Sequence, residues 1–320
     1  MKKKLSKWLT ILLPLALGVV LIFYSYQKFT PEQIAEIRQY FNDTNYFYIA
    51  LSLVISVIGS ASRAYRWKYS LEHMGYKSSF ANNFMAVSIG YLMNMTIPRS
   101  GEFSRALVLK KYNNIPFDKG FGTIVAERII DSVILLSLTG VALLLQFDIV
   151  KAFVLDKISV EKALWVVVIG ILAMLIFVII YFYSRSKIIL SLKNKISGLK
   201  EGLLSIFHMK HKWPFIFHTI AIWGSFVLMF YITIYALPET SGMSFGAVLT
   251  SFIVGSIAIA VTSSGFGTYP VLVANILLFY NIDESAGIAF GWIVWSSQII
   301  LVIISGVISF LLLPVFNRIK

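Results

Sequence analysis

The chain has 320 residues, 58% of them hydrophobic and 13% charged, with a mean hydropathy of +0.80, against roughly 45 to 50% apolar and about 25% charged in soluble domains. This composition predicts an integral membrane protein; at about 20 residues per span there is room for about six to ten crossings or half-crossings and no sizeable soluble domain. The net charge of +13 reads as the bias of Lys and Arg towards cytoplasmic loops rather than as a nucleic-acid surface, and the absence of cysteine excludes disulfides, thiolate nucleophiles and Cys-bound metals.

Lys2, Lys3, Lys4 and Lys7 precede an apolar run from Trp8 to Tyr26. That run is longer than a secretory h-region and no small-x-small cleavage site follows it, which predicts an uncleaved anchor starting inside. Residues 28–44 are polar, with Thr30-Pro31-Glu32 as a helix start; the sequon at Asn42 to Thr44 reads as chance. A second span runs from about Tyr46 to Ala61 and ends at Arg63, Arg66, Trp67 and Lys68, the cation and aromatic types of an interfacial anchor.

The next apolar segment, Phe80 to Ile97, is broken by Pro98 and Gly101 and followed by a shorter, mixed segment to Lys111. Proline removes a donor and glycine admits close backbone approach, so a broken or re-entrant hairpin is predicted over about 80–111. Full spans are predicted at about Phe121 to Phe147, Leu164 to Tyr183 and Pro214 to Leu237. Within 187–212, Ile189, Leu192, Ile196, Leu199, Leu203 and Ile206 recur at spacings of three and four among lysines. This predicts a basic amphipathic helix, flat on the cytoplasmic leaflet or packed on a partner helix.

A second interrupted segment, about 245–281, breaks at Thr262-Ser263-Ser264-Gly265-Phe266-Gly267 and restarts with Pro270. A last span is predicted from about Ala286 to Leu313. Phe80 matches Phe245, Gly90 matches Gly255, Ser100-Gly101 matches Ser264-Gly265 after a one-residue shift, and Asn114-Ile115 matches Asn281-Ile282. Three full spans between the hairpins would make them enter from opposite faces, so the weak repeat is inverted. Pairs of interrupted segments in corresponding halves point to a transport site near the midplane. The loop charges agree, because the segments placed inside are net positive and those placed outside neutral or acidic, with both termini cytoplasmic. Pairs of full spans would give the same parity. The predicted fold is therefore an all-α integral membrane protein, a single polytopic domain over 1–320, with about six full transmembrane helices and two re-entrant or broken hairpins.

The first break would present the free N–H groups of a restarting helix, which favour an anion. Arg99 and Arg105 flank it, and Arg128 follows on the next span; Arg suits bidentate phosphate recognition. Gly101 would let the phosphate approach the backbone. Glu102, Glu127 and Asp131 would orient the arginines or couple to protons, with Arg128 and Asp131 neighbours at i and i+3. The same residues equally make an ion-pair lock between hairpin and span. The second break carries no charge; its donors would be the hydroxyls of Ser263 and Ser264, the backbone of Gly265 and Gly267, and a Thr268 cap. Tyr269 reads as a local ligand or an interfacial aromatic. The four histidines form no convincing metal site, no cofactor is implied, and no catalytic motif stands out.

The sequence resembles the lysylphosphatidylglycerol synthase transmembrane-region family, also called the flippase-like domain family. The resemblance covers nearly the whole chain and is carried by Arg66-Trp67, Asn94 with Pro98-Arg99-x-Gly101-Glu102-x-x-Arg105, Glu127-Arg128-x-x-Asp131, and the late Ser264-Gly265-x-Gly267. In the relatives called multiple peptide resistance factors, a soluble aminoacyl transferase follows such a domain. Here the chain reaches Lys320 shortly after its last apolar span, so the resemblance implies the translocating half without the synthesising half. One departure concerns the late motif, Pro-Gly-Gly-x-Gly-x-x-Glu in the family, where Thr268-Tyr269-Pro270 follows and no acid is present.

These readings lead to an inner-membrane lipid flippase or transporter of a bacterium, moving a phosphate-bearing lipid between leaflets, and not an enzyme. The alternatives are a membrane-embedded lipid transferase or hydrolase, and a non-transporting scaffold of an envelope lipid pathway. The expected partners are anionic membrane lipids, with a second copy of the chain or an envelope-synthesis enzyme as protein partner.

Overall fold

The computed structural model describes residues 30–97, 99–157, 162, 165, 209–262 and 264–318. The predicted spans at Trp8 to Tyr26 and Leu164 to Tyr183, nearly all of the basic helix at 187–212, Pro98 and Ser263 lie outside the described residues. The described residues form helices and turns. In order they are α1 (Pro31–Asp43), α2 (Tyr46–His73), α3 (Phe80–Thr96), α4 (Ser100–Asn113), α5 (Phe117–Leu145) and α6 (Phe147–Lys157). After the undescribed stretch come α7 (Lys212–Thr233), a 3-10 turn (Ile234–Ala236), the one-turn α8 (Pro238–Ser241), α9 (Phe245–Val261), α10 (Thr268–Leu278) and α11 (Glu284–Arg318).

Among the described residues, four helical segments are long and apolar enough to cross a membrane: Tyr46–His73, Phe117–Leu145, Lys212–Ala236 and Glu284–Arg318. They match four of the predicted spans, although α2 continues twelve residues past the expected Ala61. They make this a multi-pass membrane protein. The arms of the two hairpins are shorter. At 17 and 14 residues, α3 and α4 reach roughly 25 and 21 Å at ~1.5 Å per residue, less than a hydrocarbon core of ~30 Å.

The two hairpins repeat each other in local geometry. Ser79 caps α3 by accepting from the Asn82 N–H at 3.2 Å, and Ser244 caps α9 by accepting from the Ala247 N–H at 3.2 Å. Both first arms have 17 residues. Both breaks contain a left-handed residue, Arg99 (φ 63°) and Ser264 (φ 56°). Both second arms are followed by a left-handed asparagine, Asn114 (φ 55°) directly after α4 and Asn281 (φ 59°) three residues after α10. The isoleucine that follows donates back to a leucine carbonyl, Ile115 to Leu109 at 3.3 Å and Ile282 to Leu277 at 3.2 Å.

Each pair of arms meets at a glycine. A Cβ on Gly90 would lie 3.0 Å from Cγ of Arg105, and one on Gly255 would lie 2.6 Å from Cε2 of Tyr269. Arg105 and Tyr269 thus hold equivalent places, one charged and one neutral. Gly101 is tighter still, since its Cβ would overlap the Gly90 carbonyl oxygen and stand 2.8 Å from the Asn94 amide.

α11 connects the halves. Its Gly287 and Gly291, four residues apart, lie against Ala274 and Pro270 of α10, as small residues do where membrane helices pack closely. Further along, Gly306 lies against Leu92 and Ser88 of α3, and Asn317 exchanges amide hydrogen bonds with Asn82 at 2.9 and 3.0 Å. The buried apolar residues gather into two clusters. One includes Phe230, Val248, Tyr269, Val273 and Phe290 around the second hairpin, the other Trp67, Leu71, Val87, Leu109 and Ile124 around the first.

Gly101→Ala is expected to destabilise the fold by about 1–3 kcal/mol through overpacking between the hairpin arms. Gly122→Ala, whose added methyl would meet nothing within 4 Å, is expected to be neutral or stabilising. Thermal unfolding of the two variants in neutral detergent checks the contrast.

Candidate functional site

A chain of ion pairs joins three helices beside the first hairpin. Arg63 Nη1 of α2 bonds Asp131 Oδ2 of α5 at 2.7 Å, and Arg66 Nη1 bonds Asp131 Oδ1 at 2.8 Å. Arg105 Nη2 of α4 bonds Glu127 Oε2 of α5 at 3.0 Å, with Arg66 Nη2 4.0 Å from the same oxygen. Arg128 Nη2 reaches Asp131 Oδ2 at 3.4 Å. Helical spacing explains the assembly: Arg63 and Arg66 are one turn apart on α2, Glu127 and Asp131 one turn apart on α5, so two carboxylates face two guanidiniums.

Apolar and aromatic groups seal the cluster. Arg66, Trp67 and Glu127 are fully buried, and Arg63, Arg105 and Asp131 nearly so. The Arg105 guanidinium lies over the Trp67 ring, 4.0 Å from its centroid, a cation–π geometry. The indole N–H of Trp67 donates to Thr123 Oγ1 at 2.9 Å, and Thr123 donates to the Gly120 carbonyl at 2.7 Å. Phe226 and Phe215 of α7 stand 5.9 and 5.8 Å from Arg63 and Arg66.

The charges do not balance. Four arginines share two carboxylates, and donors remain at Nε of Arg63, Arg66, Arg105 and Arg128, with Glu127 Oε1 also without a hydrogen bond. Glu102, one turn before Arg105 on α4, is half-buried and its Oε2 has no hydrogen-bond partner. Buried ions without full pairing cost several kcal/mol each in a low-dielectric setting. An anion entering here would meet an excess of positive charge and unused N–H donors.

The break itself is held by Asn94, whose Oδ1 accepts the Gly101 N–H at 2.7 Å. Ser100 Oγ donates to the carbonyls of Met93 and Ile97 at 2.8 and 2.7 Å. These bonds fix the turn and leave Arg99 exposed at its tip, as the left-handed N-cap of α4 with no side-chain cap bond.

Arg66, Trp67, Arg105, Glu127, Arg128 and Asp131, which carried part of the family resemblance, thus meet in space, and Asn94 and Gly101 meet at the break. The profile of the lysylphosphatidylglycerol synthase TM region matches residues 11–306. The chain belongs to that family. It is 24% identical over 279 residues to the UPF0104 membrane protein MJ1595 of Methanocaldococcus jannaschii, covering 77% of this chain and 79% of that protein. It is also 27% identical over 143 residues to glycosyltransferase AglD of Haloferax volcanii, covering 44% of this chain and 22% of that protein. No solved structure matches the chain.

Several residues of this family member fall where the sequence did not place them. Arg63, Arg66 and Trp67, predicted as interfacial anchors, are buried, because α2 continues past them and their charges are paired with α5. Their spacing at i, i+3 and i+4 put them on one face, which is the signal that marks a buried stripe. Arg99 and Arg105 do not flank one site side by side, since Arg105 turns inward to Glu127 while Arg99 stays outside. Arg128 is intermediate, its side chain 39% exposed.

In the second break, Thr268 does not cap. It is the first residue of α10, and its hydroxyl lies 2.9 Å from that of Thr262. Gly267 (φ 69°) takes the cap position without a side-chain bond, and Gly265 (φ 77°) turns the chain. The Ser264 carbonyl accepts the Trp295 indole N–H at 2.8 Å. Tyr269 is buried against Gly255 and is not interfacial. Thr123 was not predicted at all; nothing in its local pattern separates it from other helical threonines.

Asp131→Asn is expected to cost about 3–5 kcal/mol, because it strands Arg63 and Arg66 in the interior. Lys68→Ala, which breaks a partly exposed pair to Glu72 at 3.7 Å, is expected to cost under about 1 kcal/mol. Denaturation midpoints in neutral detergent measure both.

Proposed function

We propose that this protein moves a phosphate-bearing lipid headgroup across the plasma membrane, with its termini in the cytoplasm. The single observation that carries the reading is the buried arginine excess beside a broken helix. The buried guanidiniums of Arg63, Arg66 and Arg105 against the carboxylates of Glu127 and Asp131 leave one positive charge, with Arg128 partly exposed beside them, and a lipid phosphate is an anion that a membrane supplies. Family membership supports a lipid-related role at the coarser level.

In this reading Arg99 and the open N-terminus of α4 receive the phosphate at the break, where the dipole and backbone N–H groups favour it. Arg128, still partly exposed, is the next cation inward. Arg105, Arg66 and Arg63 form the fixed positive interior, held in place by Glu127 and Asp131. Glu102, with an unpartnered carboxylate oxygen, is the group that exchanges a proton or an arginine partner as the headgroup passes. The second break carries no charged side chain, so in this reading the first hairpin alone holds the anion.

A second reading, a membrane-embedded transferase acting on a lipid-linked substrate, is favoured by the name of the Haloferax relative, although the match spans about a fifth of that protein. Product formation from labelled lipid by the purified chain separates it from transport.

Headgroup translocation in proteoliposomes tests the proposal. Arg99→Ala and Glu102→Gln are expected to lower the flipping rate at least about tenfold, a loss of ~1.4 kcal/mol of barrier stabilisation, with unchanged thermal unfolding. Wild-type rates in both variants would overturn it.

A further inference from the structure

A second feature lies one turn beyond the buried cluster, where α2 ends and α7 begins. A cavity of about 720 Å³ opens there, lined by the cations Lys68, Lys77 and Lys210 and by His73 and His211. One carboxylate, Glu72, stands among them, 3.7 Å from Lys68 and 4.0 Å from His211. Among the described residues, Lys77 and Lys210 pair with no carboxylate, and both are exposed.

The main-chain dipoles do not decide the sign here. The C-terminal end of α2 disfavours an anion and the N-terminal end of α7 favours one to a similar degree, so they offset. The side chains decide it, and they leave a positive excess. A bias of lysines towards the cytoplasm accounts for their sign but not for a concave arrangement. Tyr69 and Tyr76 line the same cavity, and the Tyr69 ring lies 5.7 Å from that of His211. The volume is that of a small-molecule site, roughly 300–1,000 Å³, rather than of a bare ion.

We infer that this cavity is a binding site for a phosphate group carried by a molecule of headgroup size, either an anionic lipid of the cytoplasmic leaflet or a soluble phosphate ester. Lysines act as point-charge phosphate donors, and basic pockets between membrane helices on the cytoplasmic side hold anionic headgroups. Lys77 and Lys210, the two cations without a carboxylate, carry the contact. Tyr69 and Tyr76 offer ring faces and hydroxyls to the glycerol or sugar portion. The site stands whether or not the arginine cluster translocates lipid.

The test uses the full chain in neutral detergent, as wild type and as the double variant Lys77→Ala/Lys210→Ala. Calorimetric titration with sn-glycerol 3-phosphate and native mass spectrometry with short-chain phosphatidylglycerol read binding. At least one probe is expected to bind the wild type, and the double variant to bind it about tenfold or more weakly, ~1.4 kcal/mol. Lys119→Ala, which removes an exposed lysine outside the cavity, is expected to bind as wild type. Binding of glycerol 3-phosphate assigns a soluble ester, and binding of the lipid alone assigns the headgroup. Equal binding by wild type and double variant, or binding of neither probe, overturns the inference. Both substituted lysines are exposed, so unfolding is not expected, and circular dichroism of the double variant verifies this.

Discussion

The arrangement depends on two carboxylates that have been taken out of water. Glu127 and Asp131 sit on the inner face of a membrane-spanning helix, where an isolated charge is costly, and each is held by arginines from another helix. α2, α4 and α5 are tied together by this requirement. Removing any one helix would leave buried ions without partners, so the first hairpin is docked by electrostatics as well as by packing. The surplus of positive charge is the residue of the same arrangement.

The second hairpin shows what the fold needs when the charge is left out. It has the same type of cap, the same first-arm length, the same left-handed break and the same asparagine after its second arm. Where the first hairpin packs Arg105 on Gly90, the second packs Tyr269 on Gly255. Helix geometry and close arm packing are thus common to both, while the ionic site belongs to one. α11 couples them, since its glycines lie against α10 near one end and against α3 near the other. One helix thus touches both hairpins.

Most of the helices were legible because hydrophobic periodicity, proline, glycine and cap residues are local signals. Thr30, Ser79, Asn114 and Asn281 each set a boundary through interactions within a few residues. The breaks were legible for the same reason. The roles of Arg63, Arg66 and Trp67 were not. A cation and aromatic set at the end of an apolar run has the same local appearance whether it meets the interface or a carboxylate 65 or 68 positions later in the chain.

The sequence by itself determined the membrane class, the interrupted pair of segments and the identity of the charged residues, because each is a matter of composition and short-range pattern. The tertiary structure decided which charges meet. Arg105 turned inward to Glu127, Arg99 stayed at the tip, and two supposed anchors became the partners of Asp131. The reason is physical: ion pairing between helices depends on how far each helix runs and which face it turns, and both are settled only when the helices pack.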